Sequence, residues 1–289
     1  MARIRTDDGV DLYYESTGDG PPLLFLHEFA GDHRSWDAQV AHFAGRYQCI
    51  VYAARGYQPS SVPDDGTAYS KQRAVLDALA ILDATGTAAA HVIGLSMGGF
   101  CGLHLTDQRP DRVLSLVAAS VGYGAPPDRA RAFHEDTART AATFLADGSA
   151  VTADLIAHGP GRIPCLTHDP EGWTRFRDNL ANHSAIGSAN TMLGVEMNRE
   201  TTRPSTMSRL ILRKLRSAVM TYRVSSSLVS RTASPSMWRL PLPDPGEGRY
   251  GSRPAPRLVE QCKKVFVSFE RRRQFVGVGP TGGQVGPVL

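Results

Sequence analysis

The chain has 289 residues, 42% of them hydrophobic and 21% charged, enough for one large domain with a sizeable core. No apolar stretch approaches the ~18 residues a membrane span needs, and the start MARIRTDDGVDLYY lacks the apolar segment of a secretory signal, so a cytoplasmic setting is expected. The net charge of +4 hides a step: 17 of the 32 basic but only 5 of the 28 acidic residues lie from residue 199 on, so that stretch carries +12 and residues 1–198 carry −8.

In chain order, residues 10–15 alternate loosely and predict an early strand. The run Leu23-Leu24-Phe25-Leu26 after Pro21-Pro22 predicts a buried strand of the parallel-sheet kind. Residues 35–44 place Trp36, Val40 and Phe43 at helical spacing, and residues 47–53 (YQCIVYA) predict a strand. Residues 69–84 put Ala74, Val75, Ala78, Leu79 and Leu82 on one helical face. A strand over 89–95, a helix over 98–108 and a strand over 112–119 complete a β-α-β rhythm. That rhythm predicts an α/β domain, a mostly parallel sheet with helices on both faces.

The rhythm stops near Gly122. Residues 128–146, 151–158, 170–182 and 185–197 predict helices, the third starting at Asp169-Pro170-Glu171 with Asp as cap and Pro in the first turn. From residue 199 the pattern degrades into Pro-, Ser- and Arg-rich sequence, with a short helix at 210–215 and a short strand at 264–270 but no further βαβ unit. The expected organisation is a core over about 1–122, a helical lid over about 123–198 and a basic, low-order tail over 199–289.

The strongest chemical signal is Gly94-Leu95-Ser96-Met97-Gly98, lying between an apolar strand and an apolar helix. A G-x-S-x-G turn in that context is so sharp that it exposes the serine above the sheet and needs small neighbours, here Gly94 and Gly98. Ser96 is therefore the candidate nucleophile, with the Met97 N–H directed at a developing oxyanion. The second signal is His27-Glu28-Phe29-Ala30-Gly31, directly after the strand at 23–26.

With these two motifs, residues 1–198 resemble the α/β-hydrolase superfamily, in its lid-bearing esterase, lactonase and haloperoxidase-like group. The resemblance implies that Phe29 N–H completes the oxyanion hole with Met97 N–H, and that His27 orients this loop. It implies a serine hydrolase that needs no cofactor or metal and acts on a small ester, lactone or related acyl substrate through an acyl-enzyme. A third family marker, an Asp-x-Arg-Gly-x-Gly-x-Ser-like loop, reads Ala53-Ala54-Arg55-Gly56-Tyr57-Gln58-Pro59-Ser60, so Arg55, Gly56 and Ser60 fit and the leading acid does not. Glu28 stands where the family has glycine, and an isolated charge there is expected to face solvent.

The family's triad runs Ser, then acid, then His, with both partners beyond the lid. No histidine follows His183 in this chain, and the only aspartate after Asp178 is Asp244. General base and triad acid are thus both unassigned. The upstream histidines His91, His104, His134, His158, His168 and His183 read as core or lid residues, and Cys101 as core.

Three readings of the tail stay open: a solvated segment, a nucleic-acid-binding arm acting through phosphates, or translation from a shifted frame. The third is prompted by its composition and by the absent histidine. Residues 218–224, back-translated and read from each third codon base, permit a Gly-x-x-Asp turn, one aspartate being forced by the Met220-Thr221 codons. On the third reading the genuine end of the domain is missing, which leaves the sheet with an unpaired edge. The alternative to a working hydrolase is a non-catalytic homologue. No metal-ligand spacing or nucleotide-binding motif is present, and oligomeric state is not legible.

Overall fold

The computed structural model describes residues 2–121, 130–159, 162–198 and 218–221. The tail readings, with the helix at 210–215 and the strand at 264–270, fall outside the described residues apart from 218–221.

Seven strands form one sheet in the order β1-β2-β4-β3-β5-β6-β7. They are β1 (Ala2–Arg5), β2 (Asp11–Thr17), β3 (Pro22–Leu26), β4 (Gln48–Tyr52), β5 (Ala90–Leu95), β6 (Val113–Ala119) and β7 (Ala218–Thr221). β1 and β2 form an antiparallel hairpin, β2 runs antiparallel to β4, and the rest of the sheet is parallel. Central β3 is a continuous apolar run and β5 is apolar but for His91, because a parallel strand covered on both faces has little polar side to show.

Alternation along β3 sorts the helices. Leu24 and Leu26 belong to the main core with α2 (Lys71–Ala84) and α3 (Met97–Gln108); of the face expected on α2, Val75, Ala78 and Leu82 are buried, Ala74 and Leu79 are partly buried, and Ile81 joins them. Phe25 points the other way, onto Trp36, with ring centroids 5.1 Å apart, just before α1 (Asp37–Phe43). Helices therefore cover both faces, and α2 starts cleanly because the Ser70 hydroxyl accepts from Arg73 N–H at 3.0 Å.

The helices expected at 128–146 and 151–158 are both present, running end to end within α4 (Ala130–Ala157) and separated at Gly148, whose φ 81° and ψ 174° are not helical. α5 (Ile163–His168), which the sequence reading missed, precedes α6 (Pro170–Ala181) and α7 (Ala185–Thr191). The Asp169 cap holds as expected, its carboxylate accepting from Gly172 N–H at 3.1 Å. α7 runs on into a π-helical turn at Met192–Glu196.

One expectation is overturned. The stretch beyond 199 does contain a further strand: β7 lies parallel to β6, pairing Leu116 with Ala218 through Ala119 with Thr221. The edge of β6 is therefore paired. Four residues carry too little periodicity to register, and the basic, Ser-rich flanks hid the short run Ala218-Val219-Met220-Thr221. Among the described residues no helix is long and apolar enough to cross a membrane, and no group of three or more His, Cys, Asp or Glu side chains is placed to hold a metal ion.

Candidate active site

β5 ends at Leu95 and α3 begins at Met97, so Ser96 alone makes the turn. It does so at φ 50°, ψ −112°, a positive-φ conformation rare for a residue with a Cβ. Its N–H donates to Ala119 O on β6 at 2.8 Å, and its carbonyl accepts the first helical bond from Phe100 N–H at 3.0 Å. The turn is as tight as the glycine spacing predicts. A Cβ on Gly94 would lie 2.3 Å from Gly98 O, and one on Gly98 would lie 2.1 Å from Leu26 O. α3 thus starts pressed against the carboxyl end of β3, beside the loop carrying His27–Asp32.

That loop is stapled from several sides. His27 is buried, its Nε2 accepting from Ala54 N–H at 3.0 Å while Nδ1 donates to Glu28 O at 2.8 Å, so neutral imidazole is the form that fits. Tyr57, fully buried, donates its hydroxyl to Phe29 O at 2.7 Å and sets its ring edge-on to His27 at 4.8 Å. The Phe29 ring meets Phe144 of α4, centroids 6.1 Å apart. Asp32 caps the 3-10 turn at His33–Trp36, accepting from Arg34 N–H at 2.8 Å, and holds the Arg34 guanidinium. Its Oδ2 also lies 3.5 Å from His183 Nε2. Burial works against the Asp32 charge, but the close approach of His183 and the bonds from Arg34 outweigh it and hold the carboxyl well below the usual range.

With the loop so held, the Phe29 and Met97 N–H groups have no protein acceptor among the described residues. For Met97 this follows from its place in the first turn of a helix. Its side chain is buried against Ala53 and Tyr57.

Glu28 corrects the sequence reading. Its side chain does not face solvent: Oε2 is buried without a hydrogen bond among the described residues, and Oε1 accepts from Ser35 Oγ at 3.2 Å. The cause is the turn at Gly31, whose N–H donates to Glu28 O at 3.2 Å and folds the carboxylate back over it. Burial pushes the Glu28 carboxyl up, and the nearby Arg162 charge only partly offsets this.

The remaining candidates stand apart. Among the described residues no histidine or carboxylate is hydrogen-bonded to Ser96 Oγ. His91 pairs with Ser115 Oγ at 2.7 Å, and His158 sits on Trp173. Cys101 donates its thiol to Ala74 O at 3.4 Å, and burial pushes it up to about 12, consistent with a core role. The sequence reading missed Asp32 and Tyr57 as site residues. For Asp32 the available signal was Asp-x-x-Ser, a capping box, in Asp32–Ser35.

His27 carries a testable consequence. Burial lowers it from about 6.5 to about 4, so between those values the unfolded chain binds a proton that the folded chain does not. Stability is therefore full above about pH 6.5 and falls as pH drops towards 4, His27 contributing on the order of 3 kcal/mol across that window. His91 and His104 are lowered by burial in the same direction. The measurement is thus a comparison: urea midpoints from pH 7.5 to 4.5 are expected to fall more steeply for wild type than for His27→Gln. Parallel curves would show that His27 is not a buried neutral staple.

A family model described as alpha/beta hydrolase fold matches residues 21–210. The chain is 34% identical over 119 residues to the dihydrolipoyllysine-residue acetyltransferase component of an acetoin cleaving system of Cupriavidus necator, covering 40% of this chain and 31% of that protein. It is 34% identical over 100 residues to 3-oxoadipate enol-lactonase 1 of Acinetobacter baylyi, covering 35% and 36%. The chain thus spans about a third of the length of these curated relatives. Among solved structures, a hydrolase from Pseudomonas aeruginosa PA01 superimposes with a TM-score of 0.62 at 26% identity, covering 77% of this chain and 89% of that one. The family match takes in the sheet from β3 to β6, the Ser96 turn and the helical segment after it, and on that span the chain belongs to the alpha/beta-hydrolase fold family.

Proposed function

We propose that the chain is built for acyl transfer to water through Ser96, acting on a small ester, lactone or related carbonyl substrate. The observation that carries this is the Ser96 turn: a serine at positive φ, raised between two glycines that have no room for a Cβ, at the N-terminus of α3. Two N–H groups without protein acceptors, on Phe29 and Met97, supply what a tetrahedral oxyanion needs. The likeness to an enol-lactonase and to an acetyltransferase component adds relatives named for carbonyl and acyl chemistry.

In this reading Ser96 Oγ attacks the carbonyl carbon and its proton passes to a base. The carbonyl oxygen, now negative, takes hydrogen bonds from Phe29 and Met97. On collapse the base returns that proton to the leaving oxygen and the alcohol departs; water, giving its proton to the same base, then attacks the acyl group, and Ser96 Oγ takes the proton back as the acid is released. The helices from residue 130 to 198 serve as the lid, and the setting is cytoplasmic.

A second reading, a non-catalytic family member, is favoured by one observation. The sequence has no histidine after His183, and no histidine reaches Ser96 among the described residues. A fluorophosphonate probe separates the two. Labelling of the folded chain at one site, placed on Ser96 by peptide mass spectrometry, is the expected result. A folded chain that takes up no probe would leave only the non-catalytic reading.

A further inference from the structure

Among the described residues His183 is the one ion-pair partner of Asp32 that comes from another part of the chain. Arg34 and His33 are Asp32's own neighbours in sequence, and Arg34 is half exposed. His183 lies between α6 and α7, its N–H donating to Leu180 O at 3.1 Å, and the next residue, Ser184, caps α7 by accepting from Gly187 N–H at 3.2 Å. The backbone that carries the ring is thus held by two helix ends, while neither ring nitrogen makes a hydrogen bond of ordinary geometry among the described residues. The ring packs edge-on against Tyr57, centroids 5.2 Å apart, and both it and Asp32 are almost wholly buried. Tyr57 in turn holds Phe29 O.

On the serine-hydrolase reading given above, we propose that His183 is a positioning residue, a clamp through which the seated lid fixes the backbone that presents Phe29 N–H. The loop from His27 to Asp32 is short and holds its shape by contacts at both ends. The His27 end is fixed within the core by Ala54 and Glu28. The Asp32 end is tied to the core through its own turn, whose His33 and Trp36 pack against Tyr13 and Phe25, and to the lid through His183. Between them, Tyr57 holds the Phe29 carbonyl while touching both imidazoles. Lid and body also meet where Asn190 Nδ2 donates to Asp64 O at 3.1 Å, and where Gly187 presses on the Gly56 carbonyl, a Cβ there falling 2.2 Å from it. Those contacts seat the lid away from the Phe29 loop; on the loop itself Phe29 and Ala30 pack against Phe144 and its apolar neighbours in the lid, and the His183–Asp32 pair adds the polar contact at the Asp32 end. Removing the imidazole leaves Asp32 buried with only local partners. The loop is then free to drift, and a donor displaced by a fraction of an ångström stabilises the transition state less without changing how the ground state binds.

The test uses the full chain as wild type, His183→Ala and His183→Gln, the glutamine placing an amide N–H where Nε2 lies. Fluorophosphonate inactivation separates binding (KI) from the chemical step (kinact). His183→Ala is expected to lower kinact about tenfold with KI within about twofold, a part of the 10²–10³ lost when an oxyanion donor is removed outright, and His183→Gln to recover most of it. Hydrogen exchange gives a readout that needs no chemistry. Peptides covering residues 27–36 are expected to exchange at least about tenfold faster in His183→Ala and at wild-type rates in His183→Gln, with residues 71–84 unchanged in both. Unchanged exchange over 27–36 in His183→Ala would overturn the clamp, as would a loss confined to KI. A wild-type chain that the probe never labels would sink the hydrolase reading instead, and the exchange comparison would still decide whether the clamp exists.

Discussion

Ser96→Gly is expected to abolish reaction with fluorophosphonate and with activated esters while making the protein more stable. The two effects come from one backbone conformation. Ser96 sits at φ 50°, which a residue with a Cβ occupies at a cost of about 1–3 kcal/mol, whereas glycine occupies it freely. Glycine gives part of that back, about 0.4–1 kcal/mol, through the greater freedom of the unfolded chain. A net gain of about 1 kcal/mol, or roughly 2–4 °C in the unfolding midpoint, is the expected result. The rate is expected to fall about 10⁴-fold or more, because removing an attacking hydroxyl leaves only binding and the oxyanion donors.

Ser96→Ala is the control that separates the two terms, since alanine removes the oxygen and keeps the Cβ. It is expected to lose the chemistry without the gain in midpoint. Activity at a wild-type rate in Ser96→Gly would remove Ser96 from the reaction. A loss of stability of more than about 1 kcal/mol would show that the turn is held by contacts of the serine side chain rather than kept against strain. A fold that tolerates a strained residue at this point, between two glycines fixed by their neighbours' backbones, retains it at the expense of stability.

The elements that were legible in sequence are those whose pattern is local and repeated. Leu23–Leu26 reads as a buried strand because every side chain is apolar, and α2 reads as a helix because Val75, Ala78 and Leu82 recur at its period. The Ser96 turn was legible because its steric demand falls on adjacent residues, so Gly94 and Gly98 mark it in the chain itself. What could not be read is set by contacts far apart in sequence. Nothing in Asp32 or His183 alone announces that 151 residues of chain bring them together, and Glu28 looked like a surface charge because its burial depends on the fold-back over Gly31. β1 and β7 are four residues each, too short for alternation to outweigh charged neighbours; pairing with β2 and β6 makes them strands. Arg55 was noted as a family marker, but its role follows only from the partners the fold assembles.

Arg55→Leu is expected to be the most destabilising single change in the core, at about 3–5 kcal/mol, because it strands a buried carboxylate. Arg55 is 4% exposed and lies between three elements. Its Nε and Nη2 donate to the two oxygens of Asp77 on α2, each at 2.7 Å, its Nη1 donates to Asp8 in the β1–β2 turn at 2.8 Å, and the same nitrogen reaches Ala68 O at 2.7 Å. Asp77 is as buried as Arg55, whereas Asp8 keeps partial access to water and also pairs with Arg73. The penalty therefore falls on Asp77. Burial already pushes its carboxyl up, and Arg55 is the main force pulling it back. Without Arg55 the Asp77 carboxyl rises further and takes up a proton on folding, so the folded variant binds more protons than the unfolded chain near neutral pH. Its stability deficit should then shrink as pH falls from 7 towards 5. The double variant Arg55→Leu, Asp77→Leu removes both charges and is expected to recover most of the loss, since a buried pair replaced whole by apolar groups is close to neutral. Urea denaturation of the four proteins at pH 7 and pH 5 measures both effects. If the double variant is no more stable than Arg55→Leu, the loss comes from the contacts to Asp8 and Ala68, and the Asp77 carboxylate is not the group that Arg55 keeps in the core.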